Sequence, residues 1–142
     1  MDPSAVIFPA VAMFMLTFSV IAYLGSSRLA AIRRRDVSIR YYRCYNEGEQ
    51  TPRLQVIWRH AQNHFEVPPL FYIAILFLYV TGSVTPVAVA LAWLYFASRC
   101  VHSFIHLGSN NVTHRFSAFT VSGLILIGLW ILLLFSVASS AV

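Results

Sequence analysis

Residues 5–24 read AVIFPAVAMFMLTFSVIAYL, twenty positions without a charged side chain. At ~1.5 Å of rise per residue, a helix of that length covers the ~30 Å hydrocarbon core of a bilayer. The stretch therefore reads as a first membrane span, with Pro9 tolerated near its start. The preceding MDPS carries an acid and no basic residue, which argues against a cleaved signal peptide. Residues 116–138, FSAFTVSGLILIGLWILLLFSVA, are equally free of charge and form a last span. Between these two lie 67–82 (VPPLFYIAILFLYVTG) and 84–98 (VTPVAVALAWLYFAS), each slightly short of a full crossing. Both reach full length if their helices continue into the charged stretches 54–66 and 99–107. The Gly-Ser-Val-Thr-Pro sequence at 82–86 turns the chain back and makes them an antiparallel hairpin. The expected fold is an all-α integral membrane protein, a four-transmembrane-helix bundle in one domain, residues 1–142. Its helices are expected at roughly 5–35, 54–82, 84–108 and 114–138.

The whole chain agrees with that reading. Of its 142 residues 58% are hydrophobic and 11% charged, against roughly 45–50% and 25% in a soluble domain. Disorder, coiled coil and a disulfide-rich scaffold are excluded by the high apolar content and by only two cysteines. The net charge of +5 comes from ten arginines and no lysine, and seven of them (Arg28, Arg33, Arg34, Arg35, Arg40, Arg43, Arg53) fall between residues 26 and 58. An arginine-dense loop between apolar spans is a topology signal rather than a nucleic-acid surface, so no nucleic-acid partner is expected. The rule that positive loops stay inside puts this loop and the 107–115 connection in the cytoplasm, and both termini outside it. Cys44 falls in that reducing compartment and Cys100 in a helix, so no disulfide joins them.

Ionisable side chains at membrane depth cost about 2.5–3.5 kcal/mol each on insertion scales, so they mark a bundle interior or a functional cavity. Arg59, Asn63 and Glu66 are spaced i, i+4, i+7 and share one face of the second helix. Arg99, His102 and His106, at i, i+3, i+7, share one face of the third. Counting outward from the turn near 83–84 puts Glu66, Arg99 and His102 within about one helical turn of each other. Glu66 is then expected to pair with Arg99, with Arg115 and Arg59 near the interface. One reading of such a pair is mere neutralisation and helix register, and Arg59 and Arg115 have the option of snorkelling to the headgroups. One carboxylate does not neutralise three arginines, however, and a surplus-cationic pocket suits an anionic ligand.

The run R-H-A-Q-N-H-F-E-V-P-P-L-F (Arg59 to Phe71) and the run R-C-V-H-S-F-I-H-L-G-S-N-N-V-T-H-R-F (Arg99 to Phe116) resemble the MAPEG family, membrane-associated proteins in eicosanoid and glutathione metabolism. The resemblance covers nearly the whole chain and looks closest to the bacterial branch, which implies the bacterial inner membrane. It also implies a homotrimer holding glutathione, as co-substrate, between neighbouring subunits. Arg59, Asn63, Glu66, Arg99, His102 and His106 are the implied glutathione contacts, with Arg28 as a further arginine from the end of the first helix. Arg115 is implied to stabilise the glutathione thiolate. Glutathione brings two carboxylates and one ammonium, which suits several arginines and one glutamate. A cation beside a thiol raises its thiolate fraction.

Catalytic relatives commonly carry tyrosines where this chain has His106 and Asn110. The family also includes a non-catalytic lipid-binding member. Two readings therefore stand: a glutathione-dependent membrane transferase or peroxidase acting on lipophilic small-molecule electrophiles that enter from the bilayer, and a non-catalytic lipid-binding or scaffold protein, with membrane lipids as partners in either case. Metal or haem ligation by the pairs His60/His64 and His102/His106 is a weaker third. Five histidines are too few for a histidine-box di-iron enzyme, and His60 and His64 are rotated about 100° from the Arg59/Asn63 face. At least one pair is thus expected to point elsewhere, and no metal site is expected.

Overall fold

The computed structural model describes residues 2–45 and 48–140, without the side chains of Cys44 and Ser140. The expected pairing state of Cys44 therefore lies outside the described residues. A short 3-10 turn (Pro3–Val6) leads into α1 (Ile7–Arg33); a single turn of helix, α2 (Tyr41–Cys44), follows in the arginine-rich loop. Then come α3 (Pro52–Glu66), α4 (Pro68–Val80), α5 (Pro86–Leu107) and α6 (Val112–Ser140). Four stretches are long and apolar enough to cross a membrane: Pro3–Arg33, Pro52–Val80, Pro86–Leu107 and Val112–Ser139. The chain is an all-helical, multi-pass membrane protein.

The helix ends follow from local chemistry. Thr51-Pro52 and Thr85-Pro86 use the same device: the threonine hydroxyl accepts from the backbone N–H three residues on, at 3.4 Å (Leu54) and 3.1 Å (Ala88), and proline fills the first helical position. Asn111 caps α6, its Oδ1 accepting from the His114 N–H at 3.1 Å. Gly82 closes the α4–α5 turn at φ 66°, a left-handed conformation that favours glycine. The second span is broken at Val67, just before Pro68 and Pro69, so α3 and α4 are separate segments. Neither proline offers an N–H to the preceding turn.

α1 packs on α3 and α5; α6 packs chiefly on α5 and also touches α4. In the half of the bundle nearest the 81–85 turn the core is apolar: Val6, Met13, Phe71, Ala74, Leu78, Ala88, Ala92, Leu126, Leu129 and Leu133. Three alanines in that set let the backbones approach closely, the packing mode available where lipid removes the hydrophobic drive between helices. A second cluster, Ala31, Val37 and Leu54, seats the loop on the opposite end. There Arg28 lies over the Tyr42 ring at 5.2 Å. Arg53 donates from Nη1 to the Leu107 carbonyl at 2.6 Å and from Nη2 to the Tyr23 hydroxyl at 3.2 Å, tying α3 to the end of α5 and to α1.

Candidate functional site

At the loop end of the bundle α3 and α6 stand apart, and α5 forms the floor between them. The resulting cavity, about 570 Å³, is lined from α3 by Trp58, Arg59, Gln62, Asn63 and Glu66, from α5 by His102 and His106, and from α6 by Val112, Arg115, Phe116 and Phe119. The i, i+4, i+7 spacing on α3 puts Arg59, Asn63 and Glu66 along this one wall. Arg115, one turn into α6, is half-buried, and its Nη1 donates to Asn110 Oδ1 at 2.7 Å. Asn110 is in the α5–α6 connection at φ 49°, where a short polar side chain tolerates the left-handed region. It therefore lies beyond the third helix and orients Arg115, rather than occupying a helical position equivalent to a tyrosine.

Six of the eight residues singled out from sequence thus meet in one cavity, and two do not. Arg28 sits near the end of α1, against the Tyr42 ring of the arginine-rich loop. Arg99 is wholly buried behind the α5 wall. The expected Glu66–Arg99 ion pair is absent: the one ion pair among the described residues is Arg34 with Asp36, at 3.2 Å in the loop. Glu66 is exposed and faces the cavity. Equal height along two helices did not imply facing directions, and Arg99 turns inward, where its Nη2 reaches only the Asn63 carbonyl at 3.4 Å.

What fills the interior around Arg99 is a cluster of imidazoles. His60, His64, His102 and His106 are all buried, with ring centroids 4.9 Å apart for His60–His64, 5.5 Å for His60–His102, 4.8 Å for His60–His106 and 5.5 Å for His102–His106. His60 and His64 do turn away from the cavity wall, as their 100° offset implies, but they meet the other pair from behind instead of pointing elsewhere. His64 is anchored by the Thr17 hydroxyl at 3.0 Å on Nδ1 and the Ser103 hydroxyl at 3.5 Å on Nε2. Among the described residues, no group of three or more His, Cys, Asp or Glu is arranged to hold a metal ion. Sequence reasoning missed this cluster although the signal was present: counted from the turn, His60 and His106 are each about 23 residues out and so level.

Below the polar cavity, and sharing Phe119 with it, runs an apolar groove of about 540 Å³ between α4 and α6, lined by Val67, Leu70, Gly123, Leu126, Ile127, Trp130, Ile131 and Leu134. A hydrogen-bonding cavity with two arginines and an apolar groove thus adjoin at Phe119. The MAPEG family profile matches residues 6–135. No curated protein and no solved structure matches the chain. With the match spanning nearly the whole sequence, the chain belongs to the MAPEG family, whose members are membrane proteins of glutathione-related metabolism.

Proposed function

We propose that this MAPEG member binds glutathione in the cavity between α3, α5 and α6. We further propose that it works as a transferase or peroxidase on lipophilic electrophiles reaching the thiol along the apolar groove. The observation that carries the reading is the charge pattern around one cavity: Arg59 and Arg115 for two carboxylates or a thiolate, Glu66 for an ammonium, Asn63, His102 and His106 for the remaining polar atoms. The donor set fits the tripeptide's own charges. Arg115 is the residue assigned to the thiolate, its guanidinium held by Asn110 so that no reorganisation is needed as charge develops. Because the α3–α6 face of the cavity is open within one chain, the proposal includes a homotrimer. A neighbouring subunit would close that face and bring its own Arg28. The proposal also places the protein in a bacterial inner membrane with both termini outside the cytoplasm.

The test is calorimetry with glutathione on purified protein in detergent, together with conjugation of a generic aryl halide and reduction of a lipid hydroperoxide. Binding plus either activity is expected. Absence of all three sinks the reading.

A second reading, a non-catalytic lipid-binding scaffold, is favoured by the groove and by histidine at 106, where catalytic relatives carry tyrosine. Arg115→Ala separates the two: activity lost from an intact oligomer supports the enzyme, whereas silence in both forms supports the scaffold.

A further inference from the structure

Two further hollows adjoin on the α1 side of the bundle. The first is an apolar groove of about 410 Å³ between α1 and α5, walled by Leu16, Val20 and Tyr23 on one side and by Phe104 and Leu107 on the other. The second is a polar cavity of about 190 Å³ at the loop end of α1, with Ser27, Arg34, Asp36, Thr51 and Arg53 in its lining. Tyr23 belongs to both, and neither shares a residue with the cavity between α3, α5 and α6. On α5, Phe104 is about 200° around the helix from His102, so the groove and that cavity lie on opposite sides of α5.

The groove offers an occupant little but apolar surface. Its two serine hydroxyls are engaged, Ser19 donating to the Met15 carbonyl at 2.8 Å and Ser103 meeting His64 at 3.5 Å. Phe104, 82% exposed, forms its rim, so the groove faces outward from the bundle. The α1 wall from Leu16 to Tyr23 spans about 10 Å along the helix axis, the direction in which acyl chains lie beside a membrane span.

Arg53 stands where the groove meets the polar cavity. Its Nη1 donates to the Leu107 carbonyl at 2.6 Å and its Nη2 to the Tyr23 hydroxyl at 3.2 Å. Leu107 is the last residue of the span Pro86–Leu107, which puts this guanidinium at the level where headgroups begin. A guanidinium has five N–H donors, and these two bonds leave three. Asp36, the carboxylate in the cavity lining, is paired with Arg34 at 3.2 Å. Arg53 therefore has no carboxylate partner among the described residues, and the cavity carries one surplus positive charge.

We infer that groove and cavity together form a binding site for one anionic phospholipid, its phosphodiester on the free N–H groups of Arg53 and one acyl chain along the α1–α5 groove. A phosphodiester brings a single negative charge and oxygens that match the guanidinium fork. The exposed Arg40 and Arg43 line neither hollow. They attract an anionic leaflet in general, whereas Arg53 holds one molecule.

The experiment is native mass spectrometry of the full-length protein, delipidated in detergent and titrated with phosphatidylglycerol. One retained lipid per chain is expected. Arg53→Gln, and Ser19→Trp, which fills the groove from its exposed α1 edge, are each expected to weaken retention about tenfold. Arg53→Lys and Arg40→Gln are expected to stay within about threefold of wild type. Diacylglycerol, which has no phosphate, and glycerol phosphate, which has no chains, are each expected to bind at least about tenfold more weakly than the whole lipid. Arg53→Gln also removes two tethers between helices; if it does not assemble, Ser19→Trp and the comparison of the three ligands decide the matter. Glycerol phosphate held as well as the lipid would reveal a plain anion site and overturn the inference. Equal weakening by Arg40→Gln would do the same, by reducing the effect to general attraction. So would a change in oligomer mass with Ser19→Trp, which would put a second copy of the chain on the groove.

Discussion

The two halves of the bundle are built on opposite rules. Near the 81–85 turn the interior is alanine, leucine and phenylalanine, and the largest polar intrusion, Tyr95, lies flat against Phe71 with ring centroids 4.4 Å apart. Near the loop the same helices enclose four imidazoles and a guanidinium, several of whose nitrogens have no partner. The apolar half holds by shape, and the polar half carries the cavity assigned to the proposed ligand. Val67, where the second span breaks, lies at the junction between them. Stability and function should then respond to different substitutions.

The sharpest test of that division is Arg115→Ala. Loss of a positioned cation facing a developing thiolate is expected to lower glutathione conjugation by about 100-fold or more, with oligomer mass and melting temperature unchanged. In the other half, Leu129 is wholly buried. Leu129→Ala is expected to cost about 2–5 kcal/mol of stability in thermal unfolding, while glutathione affinity stays within about twofold. A parallel fall in affinity would show that the halves are not separable. Glu66→Gln is expected to weaken glutathione binding about tenfold, or about 1.4 kcal/mol, without moving the melting temperature. A large loss of stability there would mean that Glu66 does neutralise a buried arginine. Smaller still, Asn110→Ala frees the Arg115 guanidinium and is expected to lower kcat/KM about fivefold, near 1 kcal/mol, with KM nearly constant.

Much of the architecture was legible because it depends on one-dimensional quantities. Uncharged runs such as 5–24 and 116–138 announce spans, and Gly-Ser-Val-Thr-Pro at 82–86 announces the turn between two of them. The cavity wall on α3 was equally legible, since i, i+4, i+7 periodicity alone gathers Arg59, Asn63 and Glu66. Glu66 and Arg99 mark where that logic ended. Residue counting gives height along an axis, while pairing also requires the rotation of each helix about its own axis, which only packing decides. His60 is the converse case. Its height matched that of His106, but a 100° offset from the charged face made it look remote; an imidazole is long enough to reach across a helix–helix contact. Asn110 and Arg53 were opaque for another reason. Their partners, the Arg115 guanidinium and the Leu107 carbonyl, follow from the course of the α5–α6 connection and from the packing of α3 on the end of α5.

The break at Val67 has an electrostatic consequence for the enclosed arginine. Because Pro68 and Pro69 have no N–H to offer the His64 and Phe65 carbonyls four residues back, α3 ends at Glu66 with unsatisfied carbonyls in its last turn. The end of a helix behaves as roughly half a negative charge, and the Asn63 carbonyl in this last turn is the group that Arg99 approaches. The backbone itself thus serves as a partial counter-ion. It tempers the cost of burying a full cation without introducing a carboxylate beside it.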